Sequence, residues 1–206
     1  SNAFKLFGTE SAVNNFIVEK CNAHLSYIEN VNANNGVFVP PEVVSFNAPT
    51  SLEWGVKYEP VSIELYEKRF DTKIGQFGCL PHATIEHIGA SPDGINVEAS
   101  SPRFGRLIEI KNVLTREITG NPKKEYWVQM QMQMEVCDLD ECDFLETKFT
   151  EYTSYAEYMA DGVITDINRT SLGLYKGAMI RFLSINTGKH KFIYKPIDKI
   201  STRDEF

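Results

Sequence analysis

The stretch richest in chemistry is Leu107-Ile108-Glu109-Ile110-Lys111. On a strand alternate side chains share a face, so Glu109 and Lys111 project together while Ile108 and Ile110 turn into the core. A carboxylate beside an amine can do acid–base work, or it can be a simple cross-face ion pair. The same acid-x-Lys spacing recurs at Asp71 and Lys73 and at Glu146 and Lys148, so spacing alone does not choose. Upstream, Ser91-Pro92-Asp93-Gly94 ends a strand in a Pro-Asp-Gly turn. A hairpin that returns across the 15 residues between Asp93 and Glu109 brings the two carboxylates to neighbouring positions. At ~4 Å such groups repel by about 4 kcal/mol at an effective dielectric of 20, a cost relieved by a proton or a hard cation. All-oxygen donors favour Mg²⁺ or Mn²⁺.

A third acid, Glu59, lies in Trp54-Gly55-Val56-Lys57-Tyr58-Glu59-Pro60, where Gly55 one turn earlier permits close approach of another backbone. Downstream, Tyr126, Gln129 and Gln133 fall at i, i+3 and i+7 on one helical face. His82 and His87 flank the strand before Asp93, and their nitrogen chemistry is unnecessary for Mg²⁺.

In order, Gly55-x-x-x-Glu59-Pro60, Ser91-Pro92-Asp93-Gly94, Glu109-Ile110-Lys111 and Tyr126-Trp127-Val128-Gln129-Met130-Gln131 resemble the motifs of the YqaJ-like viral recombinase and bacteriophage lambda exonuclease family, within the PD-(D/E)XK nuclease superfamily. The resemblance covers about residues 52–136. It implies an α/β fold of the restriction-endonuclease-like kind, with a mixed central sheet flanked by helices and the active site at the sheet's edge. It implies that Asp93 and Glu109 bind one Mg²⁺ with the Ile110 carbonyl, that Glu59 and Asp93 hold a second, and that Mn²⁺ can substitute. Lys111 would orient and help deprotonate the attacking water, Gln129 would position groups beside that lysine, and Tyr126 would lie near the same pocket against DNA.

The implied activity is metal-dependent resection of linear double-stranded DNA ends, 5′ to 3′, in viral or phage recombination and repair. Implied partners are DNA ends, a single-strand annealing recombinase and further copies of the chain in a ring. The Arg and Gly-x-x-Ala-Ser-like segment that commonly precedes the first acid in this family is not found between Phe4 and Ser51. Its part in gripping DNA falls to Arg103 and Arg106 in the loop after Asp93, or to the basic C-terminal segment, or the protein is a structure-specific endonuclease. A non-catalytic DNA-binding module on the same fold is the alternative from another class. The iron–sulfur exonuclease branch is disfavoured by the spacing of Cys21, Cys79, Cys137 and Cys142.

These residues must be carried by elements that the remaining pattern outlines. Helices are expected from about Thr9 to Asn30, with Thr9 as N-cap and Val13, Phe16, Ile17, Leu25 and Ile28 as an apolar stripe, from Ser51 to Phe70, and from Pro122 to Cys137. Trp54, Val61, Leu65 and Tyr66 supply the buried face of the second, which Pro60 should bend. Short strands are expected at 75–80, 84–91, 94–97 and 107–113, then at 178–185 and 191–194 about the turn Asn186-Thr187-Gly188.

The chain has 206 residues, with 21 Lys and Arg against 28 Asp and Glu, which is ordinary for a domain with a sizeable core. Ser1-Asn2-Ala3 reads as a remnant of tag removal and 4–206 as a single nuclease domain whose motif core spans about 51–137. The net charge of −7 argues against coating nucleic acid by bulk charge, but charge is segregated. Ten acids and one base lie between Glu135 and Asp166, whereas eight bases face three acids from Arg169 onward. No apolar run is long enough to span a bilayer and no leader is evident, so a cytoplasmic protein that does not contact membrane is expected. The four cysteines read as free thiols.

Overall fold

The structure is a computed structural model that describes residues 5, 8–37, 51–162, 168–184 and 190–197. Helix α1 (Glu10–Ala33) starts at the expected N-cap, where the Thr9 hydroxyl accepts a hydrogen bond from the Ala12 amide at 3.3 Å. None of its residues is buried, so the stripe of Ile17, Leu25 and Ile28 lies exposed rather than in the core. Helix α2 (Ser51–Phe70) runs through Pro60 without interruption.

The buried face of α2 is Trp54, Tyr58, Ser62 and Tyr66, one residue every turn. Val61 and Leu65, expected inside, are only half-buried. The reason is polar: the sheet beneath offers partners, so side chains that are apolar in the body and polar at the tip dock there. The Ser62 hydroxyl donates to Asn112 Oδ1 at 2.7 Å and the Tyr66 hydroxyl to Asp143 Oδ2 at 2.5 Å.

Four strands form the central sheet: β1 (Ile74–Gly75), β4 (Gly94–Asn96), β5 (Leu107–Val113) and β6 (Cys142–Lys148), in the order β1-β4-β5-β6. Strands β1/β4 and β4/β5 pair antiparallel, while β5/β6 pair parallel. The parallel step requires a crossover, which helix α3 (Lys124–Cys137) supplies. This mixed sheet flanked by helices is the expected fold. Strand β6 and the short helix α4 (Tyr155–Ala160) were not individually legible, and the expected strands at 75–80 and 84–91 shrink to β1 and to a two-residue pair, β2 (Leu80–Pro81) with β3 (Gly89–Ala90). Strands β7 (Met179–Leu183) and β8 (His190–Tyr194) form a separate antiparallel pair, and the turn expected at 186–188 lies outside the described residues.

Between α2 and the sheet, Tyr66, Ile108 and Ile110 form the core, with Ile63, Phe70, Ile74 and Leu145 packed around them. Burying each such side chain stabilises by about 1.5–3 kcal/mol. Gly94 is needed for space: a Cβ there would lie 2.2 Å from Ile74 Cγ2. Among the described residues no helix is long and apolar enough to cross a membrane.

Candidate active site

Register places the carboxylates. Gly94 pairs with Ile108, which makes Asp93 and Glu109 the next positions along the β4/β5 ladder. Strand β4 ends there, and the Ile110 amide, which a longer β4 would have engaged, instead donates to Asp93 Oδ2 at 2.6 Å. Because an extended residue directs its N–H and C=O to the same side, the Ile110 carbonyl faces the gap that Asp93 fills. The Ile110 side chain stays in the core.

Glu109 is fully buried, on a central strand rather than at the sheet's edge. Lys111 Nζ forms an ion pair with its Oε1, and Gln133 Nε2 donates to its Oε2 at 2.9 Å. Thus β5 turns Ile108, Ile110 and the polar Asn112 toward α2, and Glu109 toward Gln133 of α3. The Lys111 ammonium also lies 5.1 Å from the centre of the Tyr126 ring.

Glu59 approaches from α2, where Gln76 Nε2 donates to its Oε1 at 3.2 Å. The helix is held by a knot the sequence reading missed. Lys57 and Tyr58 both donate to Glu151, Tyr58 stacks on Phe149 with ring centres 4.3 Å apart, and the Tyr194 hydroxyl donates to the Lys57 carbonyl at 2.5 Å. Gly55 has open space around it instead of a backbone neighbour, and its carbonyl accepts from Asn112 Nδ2 at 2.8 Å.

The electrostatics follow from burying acids together. Burial, then the charge of Glu109, push the Asp93 carboxyl up to about 7, against the pull of the Ile110 amide and Lys111. Glu59 is also raised, by burial first and Glu109 second, with Lys111 opposing. Each side chain has one oxygen committed to a donor, and Asp93 Oδ1 has no hydrogen-bond donor among the described residues. As placed, no three His, Cys, Asp or Glu among the described residues form a ready cation cluster. The chemistry of the donors nevertheless fits a hard divalent cation: paired, mutually repelling carboxylates, one of them with a free oxygen, beside a main-chain carbonyl.

Gln129 is half-buried and its side chain has no hydrogen-bond partner among the described residues, whereas Gln133, one turn later, reaches Glu109. Arg103 and Arg106, expected to contact DNA, are both engaged within the chain. Arg103 pairs with Asp143 and lies 3.8 Å over the Phe70 ring, while Arg106 binds Asp143 at 3.0 Å and Glu141 at 2.8 Å. Alternation along the strand also points Arg106 to the face opposite Glu109. His82 Nδ1 accepts from the Thr84 and Ile85 amides, closing a turn, and His87 is exposed.

Residues 9–153 match the family model of the YqaJ-like viral recombinase domain. An uncharacterized protein of Acanthamoeba polyphaga mimivirus, R354, is 30% identical over 184 residues, covering 82% of this chain and 30% of that protein. Among solved structures, the alkaline exonuclease LHK-Exo from Laribacter hongkongensis is 25% identical with a TM-score of 0.50, covering 70% of this chain and 66% of its own. The same exonuclease in complex with dAMP gives 24% identity and the same TM-score and coverage, a likeness of fold. The chain therefore spans under a third of the viral relative and just under two thirds of the exonuclease. The core is of the PD-(D/E)XK type.

Proposed function

The chain belongs to the YqaJ-like viral recombinase family, and from that premise we propose that residues 4–206 act as one nuclease domain that hydrolyses DNA phosphodiesters with divalent metal. The observation that carries this reading is the meeting of Asp93, Glu109 and Lys111 at the end of β4, with Asp93 held by the Ile110 amide and Lys111 paired to Glu109. Asp93, Glu109 and the Ile110 carbonyl would hold one Mg²⁺ or Mn²⁺, and Glu59 with Asp93 a second. A metal there supplies Lewis-acid stabilisation of the charge gained by the five-coordinate phosphorus.

The rest falls to side chains. Asp93 must be ionised to bind cation, so its proton leaves first. Lys111, which pairs with Glu109, would hold the attacking water and help remove its proton. Tyr126 packs beside that lysine and limits where the strand can lie. The substrate proposed is the linear duplex end, resected 5′ to 3′ in recombination, with an annealing recombinase and further copies of the chain as partners. The four acidic and basic groups at 59, 93, 109 and 111 favour turnover over a purely binding role.

Incubation with linear duplex bearing or lacking a 5′-phosphate, alongside a closed circle, in Mg²⁺ and in EDTA, tests this. Nucleotide release from the linear substrates in Mg²⁺ alone is expected. Cleavage of the circle would transfer the assignment to an endonuclease, and no cleavage of any substrate in Mg²⁺ or Mn²⁺ would end it.

A further inference from the structure

We infer that Gln133, rather than Gln129, positions the carboxylate pair; this rests on the metal-dependent reading above. Gln133 is 3% exposed. Its Nε2 donates to Glu109 Oε2 at 2.9 Å and points to the Ser91 carbonyl at 3.4 Å. Ser91 opens the Ser-Pro-Asp-Gly segment that leads into Asp93 and β4. One amide from α3 therefore grips both stretches of chain that carry the carboxylates and sets their separation.

An amide suits the place. It donates to Glu109 without adding charge, whereas an arginine would neutralise the carboxylate that a cation needs and a glutamate would add a third repelling acid. The other end of the amide is informative too. Gln133 Oε1 is buried and has no hydrogen-bond partner among the described residues. Buried acceptors are seldom left unpaired, and a water carried into the filled site would satisfy this one. Gln129 and Gln133 share a helical face, so periodicity cannot separate them. The contact with Glu109 does.

The test uses the full chain and variants Gln133→Met and Gln129→Met, since methionine keeps length and bulk but cannot donate. Mn²⁺ binding is read by electron paramagnetic resonance without DNA, and folding by thermal melting in EDTA. Gln133→Met is expected to melt near the parent, to bind Mn²⁺ about tenfold or more weakly, and to raise the Mn²⁺ needed for half-maximal cleavage by the same factor. Gln129→Met should bind Mn²⁺ in the absence of DNA within about twofold of the parent, well under that outer-shell effect. Parent-like affinity in Gln133→Met, or a larger loss in Gln129→Met, overturns the inference. Should Gln133→Met not fold, Gln133→Asn, whose amide is too short to reach Glu109, must show the same loss, and parent-like binding by it is equally fatal. A parent that binds no Mn²⁺ overturns the metal-dependent reading itself, and the inference with it.

Discussion

The amide of Ile110, two residues beyond the last β5 residue paired with β4, donates to the Asp93 carboxylate at 2.6 Å. The side chain thus replaces a strand partner, and an acid that would otherwise sit on a flexible turn is fixed by the sheet itself. This double duty, structural through Oδ2 and chemical through Oδ1, separates what two substitutions should do.

Asp93→Asn keeps an acceptor for the Ile110 amide while removing the charge that repels Glu109. It should fold as stably as the parent, or more so, yet lose measurable Mg²⁺ binding by calorimetry. Asp93→Ala leaves the amide unpaired and should cost about 1–3 kcal/mol in urea unfolding. Retention of Mg²⁺ binding by Asp93→Asn would remove Asp93 from the ligand set.

The same carboxyl gives a pH dependence of defined sign. Its folded pKa stands near 7, above the ordinary value of 3.8, because burial and Glu109 disfavour the charged form. Between those values the folded protein holds a proton that the unfolded chain has released, so metal-free stability falls as pH rises toward 7. Melting in EDTA from pH 5 to 8 should show that decline, and Asp93→Asn should flatten it. Equal slopes for parent and variant would dispose of the assignment.

Lys111→Ala addresses the water. Removing a group that positions and deprotonates the nucleophile should lower the cleavage rate by about a hundredfold or more. Binding of duplex in Ca²⁺ should stay close to the parent, while the metal-free melting temperature falls because buried Glu109 loses its counter-charge. Undiminished turnover by this variant would assign the proton transfer elsewhere.

Much of this was legible in the sequence because strand geometry is local. Alternation placed Glu109 and Lys111 on one face, and the Pro-Asp-Gly segment announced the return of the chain. What was not legible depended on tertiary partners. Apolar periodicity could not show that Tyr58 and Ser62 would be buried in place of Val61 and Leu65, since Glu151 and Asn112 come from residues far along the chain. Nor could it show that α1 buries none of its stripe, or which of two glutamines on one helical face meets Glu109. The partners of the arginines were hidden for a related reason. Arg103 and Arg106 look solvated in a loop, but Asp143, some 40 residues away, claims both.

The part played by Arg103 is open to measurement. Arg103→Ala removes an ion pair and a cation stacked on Phe70, so stability should drop by about 1 kcal/mol or somewhat more. Affinity for duplex DNA, and the slope of its dependence on salt, should be unchanged. A slope reduced by about one would mean that Arg103 neutralises a phosphate after all.

Gly94 offers the most stringent check on how the sheet positions the site. Sequence marks it as a turn glycine, yet its constraint is steric: an added Cβ would lie 2.2 Å from Ile74 Cγ2 and 3.3 Å from the Gly75 carbonyl oxygen and Ile108 Cγ2. Gly94→Ala must push β1 away from β4 or shift β4 along β5, an overpacking that costs about 1–3 kcal/mol. Because Asp93 is the preceding residue, a shift of β4 also draws its carboxylate off the Ile110 amide, so Mg²⁺ affinity should fall together with stability. Ile74→Ala removes the clashing methyl. In a double-mutant cycle it should therefore recover part of the Gly94→Ala loss, with a favourable coupling of about 0.5 kcal/mol or more. If Gly94→Ala proves as stable as the parent, or if the two substitutions merely add, the close packing of β1 on β4 is not what holds Asp93 in place.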